Sequence, residues 1–149
     1  MSLWKHTLAG HTQEAAKETI GLFDEDKFST PKPERLIHTV LHVATNPGDL
    51  VLDSFLGSGT TAAVAHKMGR RWIGIEMGEH ARTHCQPRLA KVIDGEQGGI
   101  SQAVGWQGGG GFAFYRLGEG GFGEGGAVNP RGSLAPPGAP IWVPGTWQP

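Results

Sequence analysis

One stretch constrains this chain more than any other: Val51–Ala65, VLDSFLGSGTTAAVA. A short apolar run meets an aspartate, bends through Gly57 and Gly59, and continues into alanine-rich sequence. Val and Leu around Asp53 predict a buried strand over Leu50–Phe55, and Thr60–Met68 predicts a helix with Ala62, Ala65 and Met68 turned inward. Gly57, Gly59 and Ala62 make the pattern G-x-G-x-x-A at the junction. Glycine there permits a sharp bend and lets a ligand approach the backbone with no Cβ between them. A strand, a glycine turn and a helix in that order open a βαβ unit with room for a nucleotide-like ligand at the turn. A tight connection without any ligand is the other reading of the same residues.

The flanking sequence extends the pattern. Trp72–Glu76, WIGIE, predicts a second strand anchored by Trp72, which should run parallel to the first. Residues 12–23 predict a short helix with Thr12 as its N-cap. Pro31 and Pro33 break regular structure, and Pro33 suits the first turn of a helix in which Leu36, Ile37, Val40, Leu41 and Ala44 recur at helical spacing. Ala81, Cys85, Leu89, Val92 and Ile93 form another stripe, which Pro87 should kink or split into abutting helices. Phe112–Leu117 predicts a third strand. From Gly118 to Pro149 Gly and Pro dominate, and the segment reads as a flexible tail. The expected organisation is a lead-in over 1–27, a core over 28–117 and a tail over 118–149. The fold class is α/β, a partial Rossmann-like arrangement of parallel strands with flanking helices. So small a sheet leaves an unpaired edge, which invites self-association.

With a formal charge of −1 over 149 residues, nothing suggests a whole-chain electrostatic grip on nucleic acid. Lys67, Arg70, Arg71, Arg82, Arg88 and Lys91 read as a solvated helix face. Cys85 is the single cysteine, which rules out an internal disulfide and fits a reducing compartment; it reads as a small core hydrophobe. No run approaches the length of a membrane span and the N-terminus carries no signal-peptide pattern, so a cytoplasmic location is expected. His80 and His84 are four apart but lack a ligand set around them, and no metal site is expected.

Charge selects among ligands for the turn. A mononucleotide phosphate loop needs lysine after its glycines, and Thr60 follows Gly59. The pyrophosphate of a dinucleotide would be repelled by Asp53, which makes a nicotinamide-dependent oxidoreductase a poor fit. S-adenosylmethionine carries an ammonium and a sulfonium and no phosphate, so Asp53 attracts it. Glu76, at the end of the second predicted strand, is placed to accept ribose hydroxyls.

FSTPKPERLI at Phe28–Ile37, VLDSFLGSGTTAAVA at Val51–Ala65 and RRWIGIEMGEHA at Arg71–Ala81 occur in that order. Together they resemble the C-terminal, S-adenosylmethionine-binding part of the permuted (beta-class) amino-group DNA methyltransferases, above all the modification subunit of type III restriction–modification systems. The resemblance implies a class I methyltransferase fold and adenine as the methylated base. It also implies that Phe28, Thr30, Pro31 and Lys32 line the cofactor pocket from one side. Asp53, Phe55, Gly57, Ser58, Gly59, Thr60 and Thr61 would form the cofactor loop, and Glu76 would hold the ribose. The Asp/Asn/Ser-Pro-Pro-aromatic tetrapeptide with which these enzymes clamp the flipped base does not occur in the sequence, so no catalytic residue is assigned. The expectation is a fragment that seats the methyl donor and is inactive alone. Its partners would be double-stranded DNA in the complete enzyme, a missing half carrying the catalytic and target-recognition regions, and a restriction subunit, with homo-oligomers also open. A non-catalytic cofactor-binding or partner-binding remnant is the alternative.

Overall fold

The computed structural model describes residues 10, 12–22 and 30–116. The chain divides into two units, Met1–Gly109 and Gly110–Pro149. The first contains α1 (Thr12–Leu22), α2 (Glu34–Ala44), β1 (Leu50–Asp53), α3 (Thr60–Lys67), β2 (Arg71–Gly74), a π-helical turn (Ala81–Cys85), α4 (Gln86–Ile93) and α5 (Ser101–Val104). Among the described residues of the second, Gly110–Arg116 has no regular structure. The strand predicted at Phe112–Leu117 therefore does not form over Phe112–Arg116, and Leu117 lies outside the described residues.

β1 and β2 pair in parallel, with Leu50 opposite Arg71 and Asp53 opposite Gly74. α3 is the crossover between them, as the glycine turn predicts. This is the expected α/β, partial Rossmann-like arrangement. Both strands are shorter than predicted. β1 stops at Asp53 because its carboxylate turns back to accept the Phe55 N–H at 3.0 Å, and Phe55 is left exposed. β2 starts at Arg71, and Ile75 still donates to the Asp53 carbonyl at 2.9 Å.

α3 is the centre of the core. Ala62, Ala63, Val64 and Ala65 are all buried, more of the helix than the predicted one-sided stripe, because α2, both strands and α4 surround it. Val64 and Ala65 pack with Leu41 of α2, Val51 of β1 and Ile100, and Ile37, Met68, Trp72 and Val104 close around them. α2 turns Ile37 and Leu41 inward but leaves Val40 and Ala44 outside, so its buried stripe is narrower than the sequence suggests. Val51 and Trp72 face α3. On the opposite face of the sheet Leu50, Leu52, Ile73 and Ile75 are each at least half exposed among the described residues.

Pro87 falls in the first turn of α4, where its missing N–H costs nothing, and the π-helical turn precedes it. The predicted break is thus two abutting helices. Arg88, Leu89, Val92 and Ile93 are buried on α4.

α1 is tied to the start of α2. Pro33 at the N-cap of α2 offers no side-chain cap, and Glu18 Oε2 accepts the Glu34 N–H at 3.0 Å instead, while Glu14 pairs with Arg35 at 2.7 Å. Burial pushes the Glu18 carboxyl from 4.5 up to about 6, with the Glu34 carboxylate adding to the rise and the Glu34 N–H opposing it. Because burial favours the protonated carboxyl in the folded chain, the stability linked to this group is complete below 4.5 and is lost as pH rises through about 6, although the ionised form still accepts the Glu34 N–H. Urea unfolding between pH 4.5 and 7 should show stability falling by on the order of 1 kcal/mol from this group, after solvent screening, and Glu18→Gln should remove that slope.

Candidate functional site

The glycine turn is held from beneath, from the side and from the segment before α2. Gly57 (φ 59) and Gly59 (φ 83) both adopt left-handed backbone, which L side chains rarely enter. A Cβ on Gly59 would also lie 3.4 Å from Cys85 Cα, so the π-helical turn packs directly against the loop. Cys85 is buried, and its thiol donates to the Gly57 carbonyl at 3.0 Å. Burial, then the Glu76 carboxylate, push that thiol up to about 12; Asp53 adds to the rise. The cysteine is therefore an inert packing group, and both acids stand near it.

The loop spends its amides on its own acids and carbonyls. Phe55 N–H goes to Asp53 Oδ1, Gly57 N–H to Glu76 Oε2 at 2.8 Å, and Gly59 N–H to the Leu56 carbonyl at 3.0 Å. Asp53 Oδ2 makes no hydrogen bond among the described residues. Glu76 Oε1 accepts from Gly78 N–H at 2.9 Å and from His80 Nε2 at 3.0 Å. Burial works against the charge on Glu76, but the Gly78 and Gly57 N–H groups and His80 outweigh it and hold the carboxyl below its usual range.

The PKP segment meets the loop through side chains. The Thr60 hydroxyl donates to the Lys32 carbonyl at 3.3 Å and lies 3.3 Å from Ser58 Oγ. Arg88 Nη1 donates to Thr60 Oγ1 at 2.8 Å and to the Ser58 carbonyl at 3.4 Å, and its Nη2 donates to Glu34 Oε1 at 2.9 Å. Lys67 Nζ donates to Glu34 Oε2 at 2.8 Å and also pairs with Glu96. Burial would raise the Glu34 carboxyl; Arg88 and then Lys67 overcome that and keep it ionised below its usual range.

Lys67 and Arg88 are thus not part of a solvated basic face. Their side chains are at most 1% exposed, because each faces Glu34 across the interior. The sequence carried a signal that was missed. Lys67 lies three residues after Val64 and Arg88 three after Cys85, so both charges sit within buried stripes and need a buried partner.

Of the other candidate residues, Pro31 is buried, Thr30, Lys32 and Phe55 are exposed, Thr61 is half-buried, and Phe28 lies outside the described residues. His80 turns to Glu76, while His84 is buried with Nδ1 2.8 Å from the Thr83 hydroxyl. Among the described residues no three His, Cys, Asp or Glu side chains cluster as a metal site.

Arg88→Met should destabilise the chain by ~3–5 kcal/mol in urea unfolding, the usual cost of breaking a buried pair, and replacing Glu34, Lys67 and Arg88 together by apolar residues should recover much of it.

Residues 2–86 match a family model described as DNA methylase. A probable type III restriction-modification enzyme HindVI Mod subunit of Haemophilus influenzae is 59% identical over 86 residues, which are 58% of this chain and 12% of that protein. DNA adenine methyltransferase YhdJ of Escherichia coli is 39% identical, covering 54% of this chain and 32% of its own. The crystal structure of an M1.HpyAVI-SAM complex is 36% identical at a TM-score of 0.42, covering 45% of this chain and 33% of that one. The chain spans between 12% and 32% of the length of the curated relatives it matches.

Proposed function

The chain belongs to the DNA methylase family, and from that premise we propose that it forms the S-adenosylmethionine seat of an adenine-specific DNA methyltransferase of a restriction–modification system. The observation that carries this reading is the commitment of the glycine turn's amides. Phe55, Gly57 and Gly59 donate inward, two of them to carboxylates, so those N–H groups are not offered to a pyrophosphate. Two acids beside the bend favour a cationic ligand without phosphate. The names of the relatives, a type III Mod subunit and an adenine methyltransferase, supply the substrate and the system.

The residues divide the work by charge and shape. Asp53, with Oδ2 open, faces the positive methionine end. Glu76 takes the ribose. Gly57 and Gly59 allow the ligand to reach the backbone, and Lys32 with its neighbours closes the pocket from the side of α2. Bound there, S-adenosylmethionine would supply its methyl group to the amino nitrogen of a flipped adenine, leaving the neutral thioether and releasing one amino proton. This chain's contribution is alignment and electrostatic support of the donor. The groups that grip the base belong to a Pro-Pro-aromatic element absent from these 149 residues, so methylation requires that part of the enzyme and DNA, and a restriction subunit is a further partner of the assembled system. A cytoplasmic setting fits a protein with one buried, reduced cysteine.

Calorimetry and thermal shift decide the question. S-adenosylmethionine should bind, adding about 2.7 kcal/mol of stability at a hundred times its Kd, and NAD should not. Asp53→Asn should weaken donor binding about tenfold or more, ~1.4 kcal/mol. Binding of NAD without binding of S-adenosylmethionine would overturn the reading.

A further inference from the structure

Glu76 carries more hydrogen bonds than a ribose holder can spare. A carboxylate has about four lone-pair sites. Gly57 N–H takes one on Oε2; Gly78 N–H and His80 Nε2 take both on Oε1. A single site is left, on Oε2, whereas the adjacent hydroxyls of a ribose need two. The amide donors are fixed in the glycine turn and in the loop after β2. His80 is different. It is a side chain, one-third exposed, immediately before the π-helical turn, and rotation about its side-chain bonds would release Oε1. Its seat is also particular. The ring lies over Gly78, where a Cβ would come 2.3 Å from His80 Cε1, so only glycine there leaves room for the imidazole against Glu76.

We propose that His80 sets the donor affinity of this site by competing with a ribose hydroxyl for Glu76 Oε1. The proposal rests on Glu76 being the ribose holder. His80 keeps the carboxylate satisfied in the free protein and leaves when the ligand's hydroxyls arrive, so each binding event first breaks the imidazole contact. Affinity is lower than the pocket alone would give, and release is correspondingly easier.

The test is titration of S-adenosylmethionine into the whole chain and into His80→Ala, read by calorimetry. The variant should bind several-fold to about tenfold more tightly, ~1.4 kcal/mol at the upper end. Gly78→Ala, which keeps the imidazole but removes its seat, should tighten binding in the same direction. In the native protein the His80 Cε1–H resonance should move on saturation with S-adenosylmethionine as the ring leaves the carboxylate. Equal or weaker binding by His80→Ala, or a His80 resonance unmoved at saturation, overturns the competition while leaving the donor site intact. Failure of both proteins to bind S-adenosylmethionine overturns the donor site itself, and this inference with it.

Discussion

The structure turns on one buried carboxylate. Glu34 sits in the first turn of α2 and is 1% exposed, a position that water cannot reach. Its charge is tolerable only because Arg88 of α4 and Lys67 of α3 each bring a cation to a different oxygen, and the Ile100 N–H adds a further donor to Oε2. Three helices and the segment before α5 therefore converge on one side chain. None of them can shift without uncovering a charge in a low-dielectric interior, where the penalty is far larger than any surface ion pair could return. The pairing adds specificity to an otherwise small alanine- and valine-lined core. Such a core alone would let α3 slide or rotate with little loss, since alanines offer few interlocking shapes.

The same network reaches the glycine turn. Arg88 holds Glu34 with one nitrogen and the Thr60 hydroxyl with the other, and Thr60 in turn meets the Lys32 carbonyl. The segment before α2 and the glycine turn are consequently joined by a direct hydrogen bond, although Lys32 and Thr60 lie 28 positions apart. On the opposite side of the turn, Gly57 is gripped at both of its backbone polar groups, by Glu76 at the N–H and by Cys85 at the carbonyl. A loop fixed in this way is organised before any ligand arrives, so little ordering entropy is lost on binding. Asp53 and Glu76 put negative charge on its strand side.

One face of the sheet is finished and the other is not. Val51 and Trp72 lie against α3, while Leu50, Leu52, Ile73 and Ile75 present aliphatic surface among the described residues. Parallel sheets normally have both faces covered. The strands accordingly read as apolar runs although, among the described residues, only one side is buried.

The amino-acid sequence by itself determined the local elements and the character of the turn. Apolar periodicity marked α2, α3 and both strands, Pro87 marked the break before α4, and G-x-G-x-x-A beside Asp53 marked a bend suited to a cationic ligand. These are properties of neighbouring residues and survive in any context. Pairing was invisible, because it joins positions far apart along the chain: Glu34 to Arg88, Glu76 to Gly57, Cys85 to the Gly57 carbonyl. Hence Lys67 and Arg88 looked like solvent-facing charges, and Glu76 looked free for a ribose when its Oε1 was already filled. Phe112–Arg116 had strand composition, yet it takes no regular structure among the described residues. Only tertiary structure decides such matters, since whether a charge is buried, or an acceptor already taken, depends on which distant groups the fold brings within about 3 Å.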